Sequence, residues 1–188
     1  MQSIRKPGHK VPLSEFQKMD LNHAMDYAVS LLARRDYSTH ELKKKLAERG
    51  YTEHAYEVVV GDLESMNKVN DERYGQNFVA YRARRGHGPA RIRNQLQKSG
   101  LSRSTIDEAV KGGDSPDFLA LARAARTRKF GPDIPQDRKE RSRQARFLQY
   151  RGFSADHIRA VLQGSPDEES GLDEESNLDA GSESDQST

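Results

Sequence analysis

The sequence predicts an all-α protein of three tandem three-helix repeats, forming an elongated, curved solenoid arc of right-handed type. Three observations predict it. A helix-ending pattern, Leu-x-x-x-Gly followed by an apolar residue, occurs at Leu46-Gly50-Tyr51, Leu96-Gly100-Leu101 and Leu148-Gly152-Phe153. The glycines lie 50 and 52 residues apart, a period typical of stacked repeats in which no unit buries its apolar face alone. No strand-type alternation persists over residues 20–163.

Residues 1–19 contain Pro7, Gly8 and Pro12 and show no sustained period, which predicts a flexible arm. Repeat one (20–64) opens with a helix over about 22–35, where Met25, Ala28, Leu31 and Leu32 share a face. Ser38 and Glu41 form a capping-box pair for its middle helix. Repeat two (65–113) has Asn70 as a cap, then Tyr74, Phe78, Val79 and Tyr81 over about 71–85, and Gly88-Pro89 as the start of its middle helix. Repeat three (114–163) places Ser115 before Pro116 as cap and first helical position, followed by Phe118, Leu121, Ala122 and Ala125 over about 116–129.

Each repeat glycine suits a left-handed helix stop, because it has no Cβ to clash there. Thr52, Ser102 and Ser154 then cap the third helices. The apolar stripes of those helices are Tyr56, Val59 and Val60; Ile106, Ala109 and Val110; and Ile158, Val161 and Leu162. Repeat three departs from the pattern in two ways: Gln144 stands where the others have Leu42 and Ile92, and its inter-helix loop is longer, with Gly131, Pro132 and Pro135. A looser or differently tilted third unit is the expectation. Nine helices result.

Composition favours this thin architecture. Hydrophobic residues make up 34% of the 188 and charged residues 32%, against about 45–50% and about 25% in ordinary globular domains. There is no cysteine, which excludes disulfides and fits a reducing cytoplasm. No apolar run approaches the roughly 20 residues of a membrane helix, and no apolar stretch follows the basic N-terminus as in a secretory signal. A cytoplasmic location without membrane contact is expected.

The net charge of +2 conceals an asymmetry. Residues 1–164 contain 31 basic and 20 acidic residues, a net of +11. The remaining residues hold nine carboxylates and no base. The acidic tail, 164–188, is too poor in apolar residues to offset the entropy of ordering and is expected to be disordered. Two readings of the asymmetry stand: a polyanion-facing body with an acidic tail, or a solvated surface with a solubilising tail. If the tail folds onto the basic body, its removal should strengthen DNA binding, most visibly at low salt.

No catalytic or metal constellation is evident. No two of the six histidines lie three or four residues apart, so a helical metal pair is missing. Gly86-His87-Gly88 lacks the Lys-Ser/Thr of a phosphate loop. The expectation is a non-enzyme without cofactor. What stands out is arginine and lysine. The candidate contact residues are Arg34, Arg35, Lys44, Arg82, Arg84, Arg85, Arg91, Arg93, Lys98, Arg126, Arg128, Lys129, Arg141 and Arg151, with tyrosines 37, 74 and 81 interleaved. Arg34, Arg35, Arg84 and Arg85 equally suit the negative end of a helix dipole. The alternative use is contact with phosphates or an acidic protein surface.

Four stretches together resemble the RecX family: Leu32-Ala-Arg-Arg-Asp-Tyr-Ser38 with Glu41-Leu42, Asn70-Asp-Glu-Arg-Tyr74, Arg85-Gly-His-Gly-Pro-Ala-Arg-Ile-Arg93, and Phe147-Leu-Gln-Tyr-Arg-Gly-Phe-Ser154. The resemblance spans about residues 20–163. It implies a modulator of the RecA recombinase that binds the RecA filament on single-stranded DNA. The implied effect is to limit filament growth, ATP hydrolysis, strand exchange and SOS coprotease activity. It also implies DNA binding, single- and double-stranded, which here would be weaker and charge-driven. A monomer is expected, and the basic candidates above become RecA- or DNA-contacting candidates. The acidic tail is outside the family pattern. The alternative is a helical-repeat DNA-binding protein acting through its basic face.

Overall fold

The computed structural model describes residues 12–163. Among these the chain forms ten helices and no strand: α1 (Glu15–Met19), α2 (Leu21–Leu32), α3 (Thr39–Arg49), α4 (Glu53–Ser65), α5 (Asp71–Arg84), α6 (Pro89–Lys98), α7 (Arg103–Lys111), α8 (Phe118–Phe130), α9 (Arg138–Arg151) and α10 (Ala155–Leu162). Helices α2–α4, α5–α7 and α8–α10 are the three tandem units. The acidic tail, and the arm before residue 12, lie outside the described residues.

Helix α1 is the tenth helix and occupies ground expected to be arm. Ser14 and Gln17 form a reciprocal capping box around its first turn. Leu13 is buried in the core of the first unit, and the Lys18 carbonyl accepts the Thr52 N–H at 2.9 Å. A one-turn helix is too short to show a period, so tertiary contact decides it.

The three glycines stop the middle helices as expected. Gly50, Gly100 and Gly152 adopt φ of 109°, 82° and 89°. Behind each, the next residue's N–H reaches back to the leucine carbonyl five positions earlier: Tyr51 to Leu46 at 3.2 Å, Leu101 to Leu96 at 3.3 Å and Phe153 to Leu148 at 3.1 Å. This Schellman geometry uses up carbonyls that the helix leaves unpaired. The buried pairs Tyr51/Leu46, Leu101/Leu96 and Phe153/Leu148 are its apolar clasp. Thr52, Ser102 and Ser154 then cap α4, α7 and α10 through their side-chain oxygens.

Two caps differ from expectation. Ser38 accepts the Glu41 N–H at 3.1 Å, but the Glu41 carboxylate turns to Arg35 and Ser99, so only half of a capping box forms. At α8 the cap is Asp117, not Ser115; Ser115 Oγ instead donates to the Val110 carbonyl at 2.5 Å. On α5, Tyr81 leaves the expected buried stripe and is 52% exposed.

Two cores result. The first unit closes its own, around Leu42, Leu46, Val59, Val60 and Leu63. The second and third units share one that runs continuously from Ile92 and Leu96 to Phe118, Ala122 and Leu148. In unit three, Gln144 is buried at the position of Leu42 and Ile92. Its Oε1 accepts from Arg126 Nε at 2.9 Å, and the Arg126 guanidinium also donates to the carbonyls of Pro132 and Asp133. The polar core position thus ties down the long α8–α9 loop.

The units join by one recurring device. The start of each middle helix faces the glycine end of the next unit's middle helix. At the second junction the Gly88 and Ala90 N–H groups donate to the Arg151 and Gly152 carbonyls at 2.8 and 3.0 Å. At the first, Ser38 Oγ donates to the Ser99 carbonyl at 2.5 Å, while Asp71 takes the Thr39 N–H at 2.8 Å. Helix ends that would otherwise need water are satisfied within the chain, and the three helix dipoles meet head to tail.

Candidate functional site

Each junction leaves a cleft where the first and middle helices of one unit meet the first-to-middle loop of the preceding unit. The cleft between units two and three has a volume of about 400 Å³ and a floor of Ala83, Leu121, Ala125 and Phe147. Arg84, Arg128, Lys129 and Arg151 line it, and among the described residues no carboxylate does. The cleft between units one and two, about 690 Å³, is lined by Arg35, Arg82 and Lys98, but also by Asp36 and Glu41. Tyr74, Phe78 and Tyr81 form its aromatic wall.

The arginines are held by rings and carbonyls, which leaves their charge uncancelled. Arg151 donates to the carbonyls of Arg85 and Gly86 at 3.3 and 3.2 Å and lies 4.8 Å over the Phe147 ring. Lys129 sits 5.6 Å from the same ring. Arg82 lies 5.0 Å over Phe78, and Arg85 5.2 Å over Tyr81, to whose hydroxyl it also donates. Cation–π packing orients a guanidinium without neutralising it. Arg35, by contrast, pairs with Glu41 at 2.9 Å and lies 3.6 Å over Tyr37.

His87 registers this local field. Burial lowers its pKa first, and the cations of Arg91, Arg82, Arg151 and Arg85 lower it further. Its Nδ1 is buried and has no hydrogen-bond partner among the described residues. An anion nearby would reverse the arginine contribution.

The fourteen sequence candidates do not form a single face. Arg84, Arg128, Lys129 and Arg151 converge on the second cleft, and Arg35, Arg82 and Lys98 on the first. Arg85 stands beside them at the end of α5. Arg91 is half-buried, 5.8 Å over the exposed Tyr150 ring. Arg34 and Lys44 are exposed. Arg93 is paired across α6 and α7 with Asp107. Arg141 is exposed on α9, on a separate groove. Arg126 must be withdrawn as a contact residue: it is 4% exposed and spends its donors on Gln144 and the α8–α9 loop. Sequence reading missed His87 and Tyr150, because only folding sets His87 among arginines from two units and brings Arg91 of unit two over Tyr150 of unit three. Among the described residues no cluster of His, Asp or Glu is arranged to hold a metal, and no helix is long and apolar enough to cross a membrane.

Three domain models of RecX match the chain in order: the first three-helix domain over 24–63, the second over 70–110 and the third over 116–162. The chain belongs to the RecX family. A regulatory protein RecX of Halorhodospira halophila is 40% identical over 144 residues, covering 77% of this chain and 89% of that one. One from Pseudomonas fluorescens strain Pf-5 is 42% identical over 137 residues, covering 73% and 88%. The crystal structure of RecX from Lactobacillus salivarius superposes with a TM-score of 0.67 at 19% identity, over 76% of this chain and 94% of that one. RecX membership agrees with the three-unit architecture and with relatives named as regulatory proteins, not as enzymes.

Proposed function

We propose that this RecX-family chain binds the RecA filament on single-stranded DNA and limits its ATPase, strand-exchange and coprotease activities. The single observation that carries the reading is the tandem match to all three RecX domains. The clefts support it physically. They recur at both junctions, so a chain of linked units can present one cleft to each of two successive protomers of a helical filament. The reading assigns the first cleft, with its mixed charge and aromatic wall, to protein contact. It assigns the uncompensated second cleft to phosphate or to a carboxylate-rich surface.

The test is RecA ATPase on single-stranded DNA with the full chain titrated in, together with co-sedimentation of the chain with the filament. Inhibition accompanied by co-sedimentation is expected. Full ATPase activity with the chain left in the supernatant would overturn the proposal.

A second reading, a DNA-binding repeat protein, is favoured by one observation: Arg84, Arg128, Lys129 and Arg151 share a cleft without an acidic residue. Phosphate neutralisation would make affinity fall steeply with salt. Salt-insensitive DNA binding beside tight filament binding would remove this reading and leave the first.

A further inference from the structure

An ion pair follows the repeat, and the third unit lacks it. In unit one, Lys43 on α3 pairs with Glu57 on α4 at 2.6 Å. Fifty residues on, Arg93 on α6 pairs with Asp107 on α7. A further 52 residues on, those two positions are Ala145 on α9 and Arg159 on α10. The bridge that closes the middle-to-third helix seam twice is therefore missing the third time. One partner has shrunk and the other has reversed its charge.

In its place lies a groove of about 530 Å³ between α9 and α10. Ala145, Phe153, Ile158 and Leu162 give it an apolar floor, Arg138, Arg141 and Arg159 are basic residues along it, and no carboxylate among the described residues lines it. Contacts among the described residues leave this charge largely uncompensated. Arg159 reaches Asp156 at 3.3 Å, with 63% of its side chain still exposed, and Arg141 donates to the Pro135 carbonyl at 3.4 Å.

The chain itself supplies a matching occupant. Gln163, the last described residue, lines the groove. The sequence that follows has nine carboxylates, no base and two large apolar residues, Leu172 and Leu178, each followed directly by an aspartate. The segment 167–175, Asp-Glu-Glu-Ser-Gly-Leu-Asp-Glu-Glu, sets Leu172 between two clusters of three acids. Seven residues separate Gly164 from Leu172, and at about 3.3 Å per extended residue the eight steps span about 26 Å, longer than the roughly 20 Å of α9. Tethering raises the local tail concentration to about the millimolar range, so even a weak site fills.

We propose that the acidic tail docks in cis into the α9–α10 groove of the third unit, with Leu172 on its apolar floor and the flanking carboxylates on Arg138, Arg141 and Arg159. The tail then acts as an internal competitor that covers basic surface on unit three until a stronger polyanion displaces it. The missing bridge is what opens the seam for it. This inference does not depend on RecA being the partner.

The chain has no cysteine, so Ser176→Cys gives a unique site for a nitroxide on the full-length protein. Amide signals of Ala145, Ala155 and Arg159 should lose intensity when the label is paramagnetic, and recover it at 1 M salt, where screening shortens to about 3 Å. Leu172→Ser, which leaves the body untouched, should abolish the loss. So should the pair Ala145→Arg with Arg159→Glu, which installs the bridge of the other units. Three results would overturn the proposal: no intensity loss in the groove, loss centred instead on Arg84, Arg128 and Arg151, or loss unaffected by Leu172→Ser. A mixture of nitroxide-labelled chain with isotope-labelled, nitroxide-free chain must show no loss. Intermolecular loss would assign the groove to a second copy's tail.

Discussion

The first junction is a network of side chains, and the second adds direct backbone-to-backbone bonds to the Arg151 side chain that crosses it. Between units one and two, Ser38, Glu41, Tyr74 and Ser99 exchange hydrogen bonds around Ser99, and the cleft beside them carries both signs of charge. Between units two and three, Gly88 and Ala90 bond directly to Arg151 and Gly152, the apolar core runs across, and the cleft is purely basic. Side-chain joints tolerate substitution by rotamer change, whereas backbone joints have nothing to move. A self-neutralised cleft offers little net attraction to an anion, and an uncompensated one offers much.

The largest expected effect breaks the second junction. A Cβ at Gly88 would fall 2.3 Å from the Gly152 carbon and the Phe153 nitrogen. Its φ of −82° is ordinary, so the obstacle is steric alone. Gly88→Ala should cost on the order of 3 kcal/mol in denaturant unfolding, at the upper end of overpacking penalties. At Gly100 a Cβ would fall 2.3 Å from the Cβ and Cγ of His40; the imidazole can turn, but that Cβ moves only with α3. Gly100→Ala therefore adds a clash to the left-handed strain of about 1–2 kcal/mol, and its total loss should be comparable to that of Gly88→Ala. A loss at Gly100 no larger than the strain alone would show that α3 shifts freely at the first joint.

Next in size is Ser38→Ala, which removes both the α3 cap and the bond to the Ser99 carbonyl. A loss of about 1–2 kcal/mol is expected, read from the same unfolding curves. An unchanged midpoint would show that the hydroxyl network is dispensable.

Charge distinguishes the clefts in a binding measurement. Arg84→Ala with Arg128→Ala should lower the salt slope of single-stranded DNA binding by about 1–2, whereas Arg35→Ala, already paired with Glu41, should change it by less than about 0.5. Equal slopes would dissolve the distinction.

The smallest effect is that of His87. Its folded pKa lies below its unfolded value, so the unfolded chain binds more protons. Its contribution to stability is full above the unfolded value, about 6.5, and declines as pH falls through the window toward the folded pKa. His87→Gln should flatten the stability profile below about pH 6.5 relative to the parent chain. A bound anion raises the pKa of His87, so anion affinity should rise on acidification in the parent and less in His87→Gln. An identical pH dependence in both would remove His87 from the basic site.

The repeat was legible because each unit writes the same local physics. Glycine after leucine stops a helix, a hydroxyl starts the next, and Val59/Val60, Ala109/Val110 and Val161/Leu162 fall on one face. Helix α1 was not legible, because one turn has no period and its place depends on Leu13 entering a distant core. The cap at α8 was missed because Ser115-Pro116 and Asp117 are both plausible starts, and the bond from Ser115 to Val110 decides between them. Within the basic set, Arg126 and Arg128 look alike in sequence. One faces Gln144 and the other faces solvent, a difference of helical phase set by packing.

By itself, then, the sequence determined the unit: its helices, its glycine stops and the excess of positive charge. Those depend on neighbours within a few residues, whose chemistry is readable in order. Tertiary structure alone decided which charges stand together. Arg84 and Arg151 are far apart in the chain, and Arg35 is neutralised while Arg128 is not, because electrostatics depends on distance in space and on which carboxylates folding brings alongside.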